Sequence, residues 1–351
     1  RATRVASGRS LLRRKRIRVN ETAKKRLTLA AKVAVSAGLL YFLITRVDLA
    51  GFISAGREFP LWTLAPLTLL FIGTVFFGSW RWRVFLRAHG IQQSILRGVK
   101  LYMIGYFFNN FLPSGVGGDV VRGYYAGREN GKLSEVYASI AAERLAGLLG
   151  TLLISLVFIP IVRPPAPLPM AIILLNIGIW GGTILLVLLN LDAFFRKIFA
   201  RLPLGLGDKI ADFLAAVRHF RKDRKALVSA LALSVLYQGS LIFYVYLIAR
   251  IAGVEVIPAS AYFLFVPLIW VISLIPISLN ALGVREASFS YFFGMWGSTE
   301  ARGLLVSLIF FGTSVIAGVI GGIIWAITGH RNKAIEVIEE AEEAEEEELH
   351  D

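Results

Sequence analysis

Asn109-Asn110-Phe111-Leu112-Pro113-Ser114-Gly115-Val116-Gly117-Gly118-Asp119-Val120-Val121-Arg122 interrupts an apolar run that begins near residue 101. Pro113 removes a backbone donor, and Gly115, Gly117 and Gly118 favour a turn over a helix. The apolar run before the break is too short to cross roughly 30 Å of hydrocarbon and return. The charge of the surrounding segments decides how the stretch is placed.

Those segments belong to a membrane. Of 351 residues, 56% are hydrophobic and only 18% charged, with a mean hydropathy of +0.65. Soluble domains have about 25% charged residues, so an ordinary soluble enzyme, a disordered chain and a collagen-like repeat are excluded. Six stretches are long and apolar enough to span: roughly 27–45, 61–79, 136–161, 168–190, 226–249 and 303–328. The net charge of +14 is unevenly spread: residues 1–26 carry eleven Lys/Arg and one acid, whereas 336–351 carry ten acids. The basic arm lacks the apolar core of a signal peptide and reads as cytoplasmic. The acidic tail reads as a solvated end. The first residue is Arg1 rather than Met, which leads one to expect a preceding segment.

Basic loops stay on the cytoplasmic side. The segment 80–100, with Arg81, Arg83, Arg87, Arg97 and Lys100, is expected inside, as is 191–225, which holds nine Lys/Arg among phenylalanines and suits helices on the inner leaflet. Counting back from 191, the chain between 100 and 135 starts and ends inside, so 101–125 is expected to be re-entrant. Counting on, 251–301 starts and ends outside. The expectation is an all-α polytopic membrane protein of two inverted-topology halves, with about six full spans and two re-entrant or broken-helix regions. Eight full spans is the alternative. The parts are a basic arm 1–26, a first half 27–162, a second half 163–328 containing the insert 191–225, and an acidic cytoplasmic tail 329–351.

A weak internal repeat supports this: Pro113 and Pro276 are each followed nine residues later by an arginine, Arg122 and Arg285. Inverted repeats with broken helices are the architecture of many transporters. Glu143 and Arg144 lie within an apolar span, on the order of 10 Å below the interface. Charges there are expected to be paired or to face a cavity. Glu143 is expected either to serve the site or to lock structurally to an arginine such as Arg122. Ser139, Glu143, Gly147 and Gly150 share one helical stripe, and Ser314, Gly318 and Gly322 another, both suited to close packing. Asp119 could instead cap a surface helix, and Arg285–Glu286 could be an external surface salt bridge. Trp80 and Trp82 read as an interfacial anchor. The chain has no cysteine, and its four histidines have no metal spacing, so no metal or other cofactor is expected. The Gly-rich stretch lacks the Lys-Ser/Thr of a phosphate-binding loop, and no nucleic-acid partner is expected.

Asn109 through Ser114 and Gly117 through Arg122, followed by Ala142-Glu143-Arg144, resemble the first signature of the lysylphosphatidylglycerol synthase transmembrane region; Ile275-Pro276-Ile277-Ser278 through Gly283-Val284-Arg285-Glu286 resemble the second. The resemblance covers about residues 27–328. It implies a flippase-like protein of a prokaryotic cytoplasmic membrane that moves an amphiphilic lipid between leaflets. No aminoacyl-transferase domain is found in these residues, so lysylphosphatidylglycerol synthesis is not carried over. The expected protein is not an enzyme. Its substrate would be an anionic-head-group phospholipid or lipid-linked glycan, and its partners membrane lipids and lipid- or glycan-synthesis enzymes. The head-group site would use Asn109, Asn110, Ser114, Gly117, Gly118, Asp119, Arg122, Glu143 and Arg144, with Asn280, Arg285 and Glu286 from the second half. Arg122 and Arg285 would contact phosphate. The rival readings are a membrane enzyme transferring a group to a lipid, with Asp119 or Glu143 as base, and a scaffold of a lipid-synthesis complex.

Overall fold

The computed structural model describes residues 30, 33–39, 41, 45, 47–111, 117–164, 168–188, 224–275 and 277–328. Pro113, Ser114, the arm 1–26, most of the insert 191–225 and the tail lie outside them. The described residues form an all-helical membrane protein. A short helix α1 (Leu49–Glu58) precedes α2 (Leu64–Ala88), α3 (Ile95–Phe111), α4 (Gly117–Asn130) and α5 (Leu133–Val162). After α6 (Leu168–Leu188) come α7 (Arg224–Ile251), α8 (Ala259–Ser273), α9 (Val284–Met295) and α10 (Glu300–Ile327). Among the described residues, α2 with its preceding turn, α5, α7 and α10 are long and apolar enough to cross a membrane; α6 and α8 give shorter apolar stretches.

The ends are set by local chemistry. The Asp48 carboxylate accepts from Ala50 N at 3.1 Å to start α1, and Thr299 Oγ1 accepts from Arg302 N at 3.2 Å to start α10. The Glu286 carboxylate accepts from Gly283 N at 2.6 Å at the head of α9, and Gly283 holds a φ of 84° there.

Two helical hairpins organise the bundle. In the first, α4 returns along α3: Gly118 lies on Gly105, Arg122 over the Tyr102 ring, and Arg97 pairs with Glu129 near the base. In the second, α9 returns along α8 through Phe265–Phe292 and Tyr262–Phe293 ring contacts. The tips meet, where Asn280 Nδ2 donates to the Asn109 carbonyl at 3.3 Å.

The long helices join the hairpins from end to end. α5 starts beside the base of the first hairpin, and its Phe158 stacks on Phe263, near the base of the second. α10 starts beside Ser290 and Gly294 and finishes with Trp325 donating to Tyr125. The hairpins therefore enter the bundle from opposite ends. The packing is matched between halves: α3 on α10 corresponds to α8 on α5, α2 on α5 to α7 on α10, and α5 on α7 to α10 on α2, with α2 and α7 packed together.

The segment 80–100 departs from the sequence expectation. It is not a loop throughout, because α2 continues unbroken to Ala88 and α3 starts at Ile95. Trp82 is fully buried and its Nε1 donates to Ser139 Oγ at 3.0 Å. Its place on the buried face running through Leu67, Phe71, Thr74, Gly78 and Phe85 outweighs its aromatic character, and only Trp80 is exposed. Both small-residue stripes are packed: Gly150 lies on Ser234, and Gly318 and Gly322 lie on Phe107.

Candidate functional site

A cavity of about 840 Å³ lies at the centre, between the hairpin tips and the long helices. The first half supplies most of its charge. α2 carries Arg81, α4 carries Asp119 and Arg122, and α5 carries Glu143 and Arg144. Arg81 Nη2 donates to Glu143 Oε1 at 2.6 Å, and Arg122 Nη2 donates to Glu143 Oε2 at 2.9 Å. The Tyr102 hydroxyl also donates to Oε1. Arg122 Nε donates to Asp119 Oδ1 at 2.9 Å, while Arg144 Nε and Nη2 reach Asp119 Oδ2 at 2.8 and 2.5 Å. Five charges from three helices thus form one network. Glu143 is 1% exposed and Arg122 2%, whereas the Arg144 side chain is 56% exposed. At that depth only the pairing makes the charges tolerable.

The rings hold the guanidinium planes. Arg122 lies 4.3 Å from the Tyr102 centroid and 4.7 Å from that of Trp82, and Arg81 lies 4.9 Å from that of Tyr237. From the second half, Arg285 projects over Phe311 at 4.6 Å and pairs with Glu286 at 3.0 and 2.5 Å. Glu286 is 1% exposed, so this pair is buried in the bundle and is not an external surface salt bridge.

The structure brings Asn109, Asn110, Asp119, Arg122, Glu143, Arg144, Asn280 and Arg285 to the cavity wall. Ser114 lies outside the described residues. Gly117 and Gly118 are buried but do not line it, and Gly118 sits in the α3–α4 seam. The Gly118 N–H is taken by Asn109 Oδ1 at 2.8 Å, and its missing side chain makes room for the Gly105 carbonyl. Glu286 stands behind Arg285, bound to Gly283 N and to Ser307 Oγ at 3.4 Å. Asn110 Nδ2 donates to the Ser314 carbonyl at 3.0 Å, tying the first hairpin tip to α10.

Sequence reasoning missed Arg81, Tyr102, Tyr237, Gln238 and Trp270, all on the wall. For Arg81 a signal existed: it falls on the same three-and-four-residue stripe as Gly78, Trp82 and Phe85. Among the described residues, no group of three or more His, Cys, Asp or Glu side chains could hold a metal ion. Both wall carboxylates are engaged by two arginines each.

No curated protein and no solved structure matches the chain. Residues 29–322 match the family model described as the lysylphosphatidylglycerol synthase TM region. With that match spanning both hairpins, the cavity and the described long helices up to residue 322 in α10, the chain belongs to the lysylphosphatidylglycerol synthase TM region family.

Proposed function

We propose that this protein moves an amphiphilic lipid between the leaflets of a cytoplasmic membrane, its head group passing through the central cavity while its acyl chains remain in the bilayer. The observation that carries this reading is a cavity walled by the broken-helix tips of both halves, with buried arginines and amides among aromatic rings. Each hairpin is too short to cross and return, since the 17 residues of α3 rise only about 25 Å. Entry from opposite ends supports two re-entrant hairpins in halves of inverted topology, the arrangement that lets one half rock against the other around a central site. Both termini are then cytoplasmic.

The engagement of Asp119 and Glu143 by arginines favours transport over group transfer. A carboxylate held by two guanidinium groups is a poor proton acceptor. The test is reconstitution of the full chain into vesicles containing a fluorescent phospholipid, with an impermeant quencher reporting its movement between leaflets. Movement faster than in protein-free vesicles, lost in a folded Arg122→Ala variant, is expected. A rate equal to that of empty vesicles overturns the proposal.

A further inference from the structure

At the cavity, the carboxylate oxygens are satisfied and several guanidinium N–H groups are not. Each oxygen of Asp119 and Glu143 already accepts from an arginine, and both oxygens of Glu286, behind the wall, have donors. By contrast, Arg81 Nε, Arg81 Nη1 and Arg122 Nη1 are buried with no hydrogen-bond acceptor among the described residues. Buried donors of this kind are rarely left unpaired without a reason. Gly147 lets Arg81 pack close against α5, for a Cβ there would lie 3.1 Å from Arg81 Nη1 and 3.4 Å from Gln238 Nε2.

The charges point the same way. Arg81, Arg122, Arg144 and Arg285 face three carboxylates, which leaves one positive charge at the site. A cationic head group would add to the surplus, and the carboxylate oxygens it would seek already accept from arginines. A phosphodiester brings one negative charge and two non-bridging oxygens, the complement of a fork of guanidinium donors.

Resting on the translocation reading, we infer that the site recognises the phosphate of an anionic lipid through the free N–H groups of Arg81 and Arg122. It thereby selects against lipids whose head group is net cationic. Arg81 enters here as a recognition residue, and the substrate class is set by head-group charge.

Native mass spectrometry of the full chain in detergent tests this, with phosphatidylglycerol, phosphatidylethanolamine, lysylphosphatidylglycerol and inorganic phosphate added separately. Phosphatidylglycerol should be retained about tenfold more than lysylphosphatidylglycerol, a difference of about 1.4 kcal/mol. That preference should vanish in Arg81→Gln. If Arg81→Gln does not fold, Gly147→Ala keeps every charge but presses a methyl group on Arg81 Nη1, and should lower phosphatidylglycerol retention several-fold. Equal or stronger retention of lysylphosphatidylglycerol overturns the inference, as does a preference unchanged in both variants. Phosphate competing as well as the lipid would identify a free-anion site and overturn the lipid assignment. The vesicle assay is separate: selective retention without flipping removes the transport reading but leaves the site, and flipping without anionic selectivity does the reverse.

Discussion

Glu143 is the residue on which most of the charge network turns, because Arg81 and Arg122 both depend on it. Removing its charge leaves two buried guanidinium groups without their shared partner. Breaking a buried pair in this way costs about 3–5 kcal/mol, so Glu143→Gln should lower unfolding stability in detergent by that order. Adding Arg81→Gln removes one stranded charge and should restore part of the loss, giving a coupling of at least about 1 kcal/mol in a double-mutant cycle. Strict additivity would show that the two do not act as a pair. Arg144 is different, since its side chain is 56% exposed. Arg144→Gln should cost at most about 1 kcal/mol, read from the same unfolding curves. The sequence reveals Glu143 and Arg144 by their depth in an apolar span. It hides Arg81 among other basic residues, because a lysine- and arginine-rich helix end looks the same whether one arginine turns inward or none does.

The first hairpin depends on backbone contact between α3 and α4. A Cβ on Gly118 would stand 2.0 Å from the Gly105 carbonyl oxygen and 2.8 Å from Asn109 Cγ. Neither helix can yield without opening the seam that sets Asp119 and Arg122. Gly118→Ala should therefore destabilise the fold by about 1–3 kcal/mol, as overpacking commonly does. Gly321→Ala should behave similarly, because the Met103 carbonyl oxygen lies 1.9 Å from its Cβ position. Gly73, on α2, has nothing within 4 Å. Gly73→Ala should be neutral or stabilising by up to about 1 kcal/mol through helix propensity. Thermal unfolding of the three variants side by side checks the contrast, and equal losses would dismiss the seam as the cause. The break itself is legible, since proline and clustered glycines announce it. Its partner is not, for Gly105 lies inside an unremarkable apolar helix and only the returning chain gives it a role.

For the whole molecule, the matched packing of the two halves gives the placement of the hairpins a physical test. The loop between α4 and α5 lies at the base of the first hairpin, and the loop between α7 and α8 at the base of the second. α5 joins those two ends across 30 residues, about 45 Å at the helical rise, which exceeds the hydrocarbon thickness. Ser134 and Glu255 are exposed in or beside those loops. The sequence contains no cysteine, so Ser134→Cys and Glu255→Cys each introduce one thiol that can be followed by an impermeant maleimide. In intact cells or right-side-out vesicles, Glu255→Cys should label and Ser134→Cys should label only after the membrane is opened. Loop charge foretells this sidedness, because the basic residues gather on the side assigned to Ser134. Which helices meet could not be read that way: hydropathy marks where a segment crosses, while the pairing of α3 with α10 and α8 with α5 is decided by side-chain shape. Labelling of both positions from one face would mean that the two hairpins open to the same compartment. The cavity would then lack the opposed entrances that carrying a head group across requires, and the inverted arrangement would fall together with the translocation mechanism built on it.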